Sequence, residues 1–342
     1  MRNTLLALSL VCLLAGAALG AEATVPAEAP KKKILFGIQT GQQDVTYEQI
    51  RDIWKEAEAL GFDSAWDFDH FAPIRGDFQG PCLEGWTLLA ALAAETSRIR
   101  IGTLVTGNTY RNPALLAKMA TTVDQISKGR LYLGIGAAWF EKEHIAYGFP
   151  FYTAKERAER LDESLQLITK LWGPPPRTFK GKYYDVVDAP WNPANVQQPH
   201  PPIIIGGKGK KWIMPLVARY ADGWNVPIGV TPNGIKKRME IVRAECDRIG
   251  RKPCDIEVQA FLVLYTITDV PFAGSALRLG ARMIEDKRVA QAILAGTPNE
   301  IAERIQGYVD AGVTNIIMNI QPPYDAAMLR RFALEVMPKF KN

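Results

Sequence analysis

The chain has 342 residues, of which 47% are hydrophobic and 23% charged, with a formal net charge of +5. That composition is globular and excludes disordered and collagen-like classes. The positive balance is small and both signs are interspersed, which excludes the basic footprint of a nucleic-acid binder.

Taken in chain order, the first segment reads as a leader. Arg2 supplies a short positive start, Leu5 to Leu19 is almost wholly apolar, and small residues follow. A run of about 15 residues falls short of the ~20 that span a bilayer, so residues 1–20 are expected to be a Sec-type signal peptide. The expected product is exported, periplasmic or secreted, with no stable membrane association after cleavage. An uncleaved anchor is the alternative. Residues 21–33, rich in Ala, Pro and charge, read as a tether. Loss of Arg2 leaves 40 basic residues against 36 acidic ones, a balance of +4. Loss of Cys12 leaves Cys82, Cys246 and Cys254, whose spacings form neither a metal pattern nor a disulfide framework. Cys246 and Cys254 read as a bridge outside the cytosol or as two buried thiols.

From residue 34 to 340, short apolar runs alternate with segments of helical period. Ile34 to Ile38 reads as a buried strand. A helix from Thr46 to Leu60 follows, with Thr46 as cap, Gln49 three residues on and Gly61 as stop. Strands at Phe62–Phe68, Arg98–Thr106 and Leu131–Ile135 alternate with helices at Glu84–Thr96, Pro113–Ser127 and Thr153–Leu171. The rhythm breaks over 173–202, a proline-rich insertion with a short hairpin expected around Gly181. It resumes with Ile203–Ile205, a helix over Lys210–Tyr220, Gly223–Val226, a helix over Pro232–Ile249 and a strand over Ile256–Leu264. An irregular stretch over 265–285 precedes a helix capped by Thr297, the strand Asn315–Ile320 and a last helix to Met337. Eight strand–helix pairs suit a (β/α)₈ barrel, that is, an α/β TIM barrel with insertions. No Gly-x-Gly-x-x-Gly opens the first helix, which counts against an open dinucleotide-binding sheet.

In such a barrel, chemistry gathers at the carboxyl ends of the strands. The second strand ends in Trp66-Asp67-Phe68-Asp69-His70-Phe71. An imidazole there moves protons or donates to a reduced cofactor; the plainer reading is a structural His paired with Asp69 or a carbonyl. Thr106 opens a polar loop running to Asn112-Pro113, which serves a ligand or merely caps a helix. Gly136, Ala137 and Ala138 let a flat ring approach the backbone, and Trp139 would wall it. Glu141, Glu143, His144 and Tyr147 follow; one Glu-x-x-His pair is weak evidence for a metal, and none is expected. Gly206, Gly207 and Lys208, before a helix, make a phosphate cradle or a tight turn.

Together these segments resemble the luciferase-like monooxygenase superfamily. The resemblance rests on Phe62–Trp66 leading to Asp69-His70-Phe71, on Arg98–Thr103 running to Arg111-Asn112-Pro113, and on Gly129–Trp139 continued by Glu143-His144 and Ala146-Tyr147-Gly148. It is most specific at Pro202–Gly207 with Ala218–Asn225, and Gly296-Thr297-Pro298 with Ala311-Gly312-Val313 completes it. The family implies FMN or the deazaflavin coenzyme F-420 at the strand ends, and a non-proline cis peptide within Leu104–Gly107. By motif, His70 would face the ring's reactive centre. Thr106, Gly136 and Ala137 would line the ring, and Gly206, Gly207 and Lys208 would hold the phosphate. Asp69-His70 resembles the deazaflavin dehydrogenases and reductases, whereas the luciferase branch carries His-His. One dehydrogenase group has a Glu where this chain has Trp139, which leaves Glu141 or Asp69 as the acid.

The expectation is hydride transfer between coenzyme F-420 and a small organic substrate. Its rivals are an FMN-dependent monooxygenase, fed reduced flavin by a partner reductase and using O₂, and an exported non-catalytic flavin or deazaflavin binder. Homodimers are common in the family. The substrate is not legible.

Overall fold

The computed structural model describes residues 33–284 and 287–340, and these form one compact unit. The leader expected over residues 1–20 lies outside the described residues. Eight parallel strands close into a ring: β1 (Leu35–Thr40), β2 (Ser64–Asp67), β3 (Arg100–Thr103), β4 (Leu131–Gly136), β5 (Ile203–Gly206), β6 (Gly223–Val226), β7 (Glu257–Ile267) and β8 (Asn315–Ile320). β7 pairs with both β6 and β8, so the sheet has no open path. The outer helices are α1 (Tyr47–Ala59), α2 (Gly85–Glu95), α3 (Pro113–Ile126), α4 (Ala154–Trp172), α5 (Ile213–Tyr220), α6 (Pro232–Ile249), α7 (Pro298–Val309) and α8 (Ala326–Arg331). The chain is a (β/α)₈ barrel.

Local chemistry starts these helices where the sequence indicates. Thr46 and Gln49 cap each other's backbone at α1, and Thr297 and Glu300 do so at α7. Asn112 caps α3, and Thr231 caps α6, each ahead of a first-turn proline. Such caps are worth ~1 kcal/mol each. Gly250 ends α6 at φ 74°, and the Cys246–Cys254 disulfide closes the loop beyond it.

Inside the ring, Trp66, Tyr132, Ile204 and Ile317 form a separate buried cluster. Trp66 stacks on Tyr132 with ring centroids 5.3 Å apart. Gly102 makes room for them, because a Cβ there would lie 2.7 Å from the Trp66 ring. Fully burying each large apolar side chain contributes ~1.5–3 kcal/mol. The main core fills the layer between strands and helices.

The 173–202 insertion contains the hairpin Phe179–Lys180/Asp185–Val186. Its turn is held by Glu163, which accepts from the N–H groups of Lys182, Tyr183 and Tyr184. The stretch expected to be irregular is not. β7 continues to Ile267, and helices at Ala273–Ile284 and Lys287–Ala292 lead to a short strand, Ile293–Gly296, paired with the far end of β7. Gly274 hides that helix from a propensity reading, yet it is required where the helix meets the Ala295 carbonyl. No helix among the described residues is long and apolar enough to cross a membrane.

Candidate active site

The end of β2, the β3 loop and a short helix after β4 (Glu141–Ala146) meet at one carboxylate. Glu143 is wholly buried. Its Oε1 accepts from the N–H groups of Phe71 and Ala72, at 2.6 and 3.1 Å. Its Oε2 lies 2.8 Å from His70 Nδ1 and accepts from the Tyr110 hydroxyl. Burial works to raise the Glu143 carboxyl, but hydrogen bonds and charge from His70, with Tyr110 and the Phe71 N–H, hold it below its ordinary value. The same burial, with Glu143 opposite, pushes the Tyr110 hydroxyl up. His70 itself is 8% exposed and meets the edges of Trp139 and Phe140, at centroid distances of 5.7 and 5.8 Å. Trp139, stacked on Phe140 and largely exposed, walls the mouth beside His70.

Asp69 has a different neighbourhood from the one expected of an acid. Arg111 holds it in a bidentate pair, 2.6 and 2.9 Å, and the Gly107 N–H donates to it at 3.0 Å. With both oxygens engaged and 1% exposure, Asp69 clamps the β3 loop to the end of β2 and is closed off from solvent. Glu141 opens the short helix on its exposed side, outside this cluster.

The clamped loop contains the Leu104–Val105 cis peptide, within the span that the resemblance indicates. Val105 passes over two glycines: a Cβ on Gly136 would lie 2.9 Å from its Cγ2, and one on Gly206 2.7 Å. These glycines therefore leave the room that Val105 fills. Ala137 is half-buried beside them, and Ala138 takes φ 59°. Thr106 is turned outward: its hydroxyl meets Thr103 at 2.6 Å and accepts from Trp86 Nε1 at 3.0 Å.

Gly207 has φ 138°, a conformation that only glycine adopts without strain. Its carbonyl accepts from Trp224 Nε1 at 2.7 Å, and its N–H donates to the Asn225 carbonyl. Arg238 Nε holds the Lys208 carbonyl at 3.0 Å. The side chains of Lys208, Lys210 and Lys211 are exposed beyond it.

His144 is satisfied on both sides. Its Nδ1–H donates to the Phe140 carbonyl at 2.8 Å, which leaves Nε2 to accept from the Thr109 hydroxyl at 2.7 Å. No group of three metal-ligating side chains occurs among the described residues. A groove of about 720 Å³ between α1 and α8, lined by Gln43, Asp52, Gln321, Tyr324 and Arg330 among others, does not include His70 in its walls. Glu143, Tyr110 and Arg111 are site residues that sequence reading passed over as catalytic candidates. Their partners lie 33 to 73 positions away, so no local spacing reveals them.

A family model described as luciferase-like monooxygenase matches residues 33–269. The chain belongs to this family. It is an oxidoreductase of the luciferase-like kind. Among curated proteins, it is 30% identical over 336 residues to an F-420-dependent glucose-6-phosphate dehydrogenase of Amycolatopsis mediterranei, covering 89% of this chain and 96% of the relative. Among solved structures, the F-420-dependent tetrahydromethanopterin reductase of Methanopyrus kandleri superposes with a TM-score of 0.74 at 21% identity, covering 90% of this chain and 100% of that one. An F-420-dependent secondary alcohol dehydrogenase superposes with a TM-score of 0.74 at 22% identity, covering 90% and 98%. At those identities the structures speak for the fold.

Proposed function

We propose that this chain transfers hydride between coenzyme F-420 and a small organic substrate, with His70 handling the proton. The observation that carries the proposal is the Asp69–His70 pair at the end of β2, in a chain whose curated relatives include F-420-dependent dehydrogenases. The residues present fit a flat tricyclic ring with an anionic tail. The cis bulge presents backbone and Val105 instead of long side chains over Gly136 and Gly206, and a cationic loop follows Gly207. When bound, the deazaflavin supplies a carbon that accepts or returns hydride. The chain's own part is to orient the substrate hydroxyl or carbonyl against His70 and to take or give its proton at Nε2. Trp139 and Phe140 would keep water from that atom.

The same proposal keeps the chain outside the cytosol, which the Cys246–Cys254 disulfide supports; the N-terminal mass of the purified chain reads this directly. The function is tested by following reduction of coenzyme F-420 with a panel of small alcohols and sugar phosphates. His70→Ala is expected to lower turnover by ~10²-fold or more while the fold survives. Unchanged turnover in that variant would make His70 structural and remove the proposed mechanism.

A further inference from the structure

We infer that Glu143 is the positioning residue that sets the tautomer of His70, holding the ring proton on Nδ1 and leaving Nε2 as the proton acceptor at the mouth. This rests on the reading of His70 as the proton-handling group.

Oε1 is committed to the Phe71 and Ala72 N–H groups, which are fixed in the backbone and have no acceptor form. Oε2 faces His70 Nδ1 and the Tyr110 hydroxyl. The carboxyl is held below its ordinary range, so it is ionised and only accepts. Nδ1 therefore carries a proton, and a neutral His70 has its lone pair on Nε2. When Nε2 takes a proton from a substrate hydroxyl, the resulting imidazolium faces a buried carboxylate at 2.8 Å, which stabilises it without a second proton transfer. A carboxylate that orients an imidazole in this way does the work that Asp does in a Ser-His-Asp triad. Asp69, the nearer acid in sequence, is not available for that role, because Arg111 and the Gly107 N–H occupy it. The remaining neighbours do not compete for Nδ1: the Cys82 thiol lies 3.9 Å from the His70 carbonyl, and Phe68, Trp139 and Phe140 meet the ring by their edges.

The same geometry says what a near-isosteric change does. In Glu143→Gln one oxygen remains, and the two backbone donors keep it, because neither can turn away. The amide NH₂ then replaces Oε2 and points at His70 Nδ1. That nitrogen must become an acceptor, and the ring proton moves to Nε2. Tyr110 adapts by rotating its hydroxyl. The variant thus keeps its shape and reverses the tautomer, so the mouth presents an N–H where it presented a lone pair.

The test is nitrogen-15 NMR of the histidine side chains in the purified chain, without cofactor. The sequence has three histidines, so His70→Ala assigns the signal. With pH raised until a single ring proton remains, wild type is expected to show it on Nδ1 and Glu143→Gln on Nε2. Thermal unfolding of the variant checks that the fold is retained, and Tyr110→Phe, which leaves the carboxylate in place, is expected to keep the wild-type tautomer. Turnover of Glu143→Gln should fall by ~10²-fold, close to the loss in His70→Ala, with substrate KM little changed. The same tautomer in wild type and Glu143→Gln, or Nε2–H in wild type, overturns the inference. Failure of His70→Ala to lower turnover overturns the proton-handling role proposed for His70 instead and leaves the NMR result standing.

Discussion

The two sides of the barrel mouth are held by different forces. On the β2–β4 side, Glu143, Asp69, Arg111, Tyr110 and His144 form a mostly buried set in which each charged or polar group faces a partner. On the β5 side, the loop after Gly207 is held by its backbone, through Trp224 and Arg238, while three lysines stand in solvent. Buried and mutually satisfied groups give a fixed geometry, which proton transfer needs. Exposed cations give weak, salt-screened attraction, which suits a long anionic tail of variable position.

Breaking the first side should cost most. Arg111→Ala leaves the Asp69 carboxylate buried with only the Gly107 N–H, and loss of one partner of a buried pair costs ~3–5 kcal/mol. Denaturant unfolding measures this; a loss under ~1 kcal/mol would mean that the clamp does not hold the bulge.

Asp67 sharpens the comparison, because it breaks the rule of its own side. It is fully buried, and neither side-chain oxygen has a hydrogen-bond partner on another of the described residues. Burial, with Asp69 and Glu84 nearby, holds its carboxyl well above the ordinary range. The folded chain therefore keeps a proton that the unfolded chain gives up above pH ~4, so this group loses stability as pH rises from there towards its folded value. Asp67→Val removes the unpaired group at similar volume. It should raise stability by ~1–3 kcal/mol at neutral pH, with the gain shrinking towards pH ~4. Melting curves at several pH values check it, and a destabilised variant at every pH would show that Asp67 is satisfied by a group such as bound water.

The smallest effect is expected on the lysine side. Lys210→Ala with Lys211→Ala should leave stability within ~0.5 kcal/mol and take only ~0.2–1 kcal/mol per charge from binding of an anionic tail. Equilibrium binding at low salt measures it, and a loss of ring binding altogether would place these lysines in the ring site.

What the sequence discloses follows the range of the physics. A helix cap is decided within four residues, so Thr46–Gln49 and Thr297–Glu300 are legible. Strand–helix alternation is legible for the same reason, and it suffices for the barrel. The cis peptide came from family resemblance, since nothing in Leu104-Val105 marks it locally. The pairings that define the site join loops far apart in the chain: His70 with Glu143, and Asp69 with Arg111. The resemblance leaves Glu141 or Asp69 as the acid, and only the folded loop shows that Arg111 holds Asp69. The helix at Ala273–Ile284 was obscured by Gly274, a residue chosen by tertiary contact against local propensity.

Cofactor identity is tested most directly by titrating the purified protein with coenzyme F-420 and with FMN, at low and at high salt, by fluorescence quenching. The deazaflavin is expected to bind more tightly, by a margin that narrows as salt rises and narrows further in the Lys210→Ala, Lys211→Ala variant, while ring binding persists. Tighter binding of FMN at both salt concentrations would contradict the hydride-transfer proposal and favour a flavin monooxygenase fed by a separate reductase.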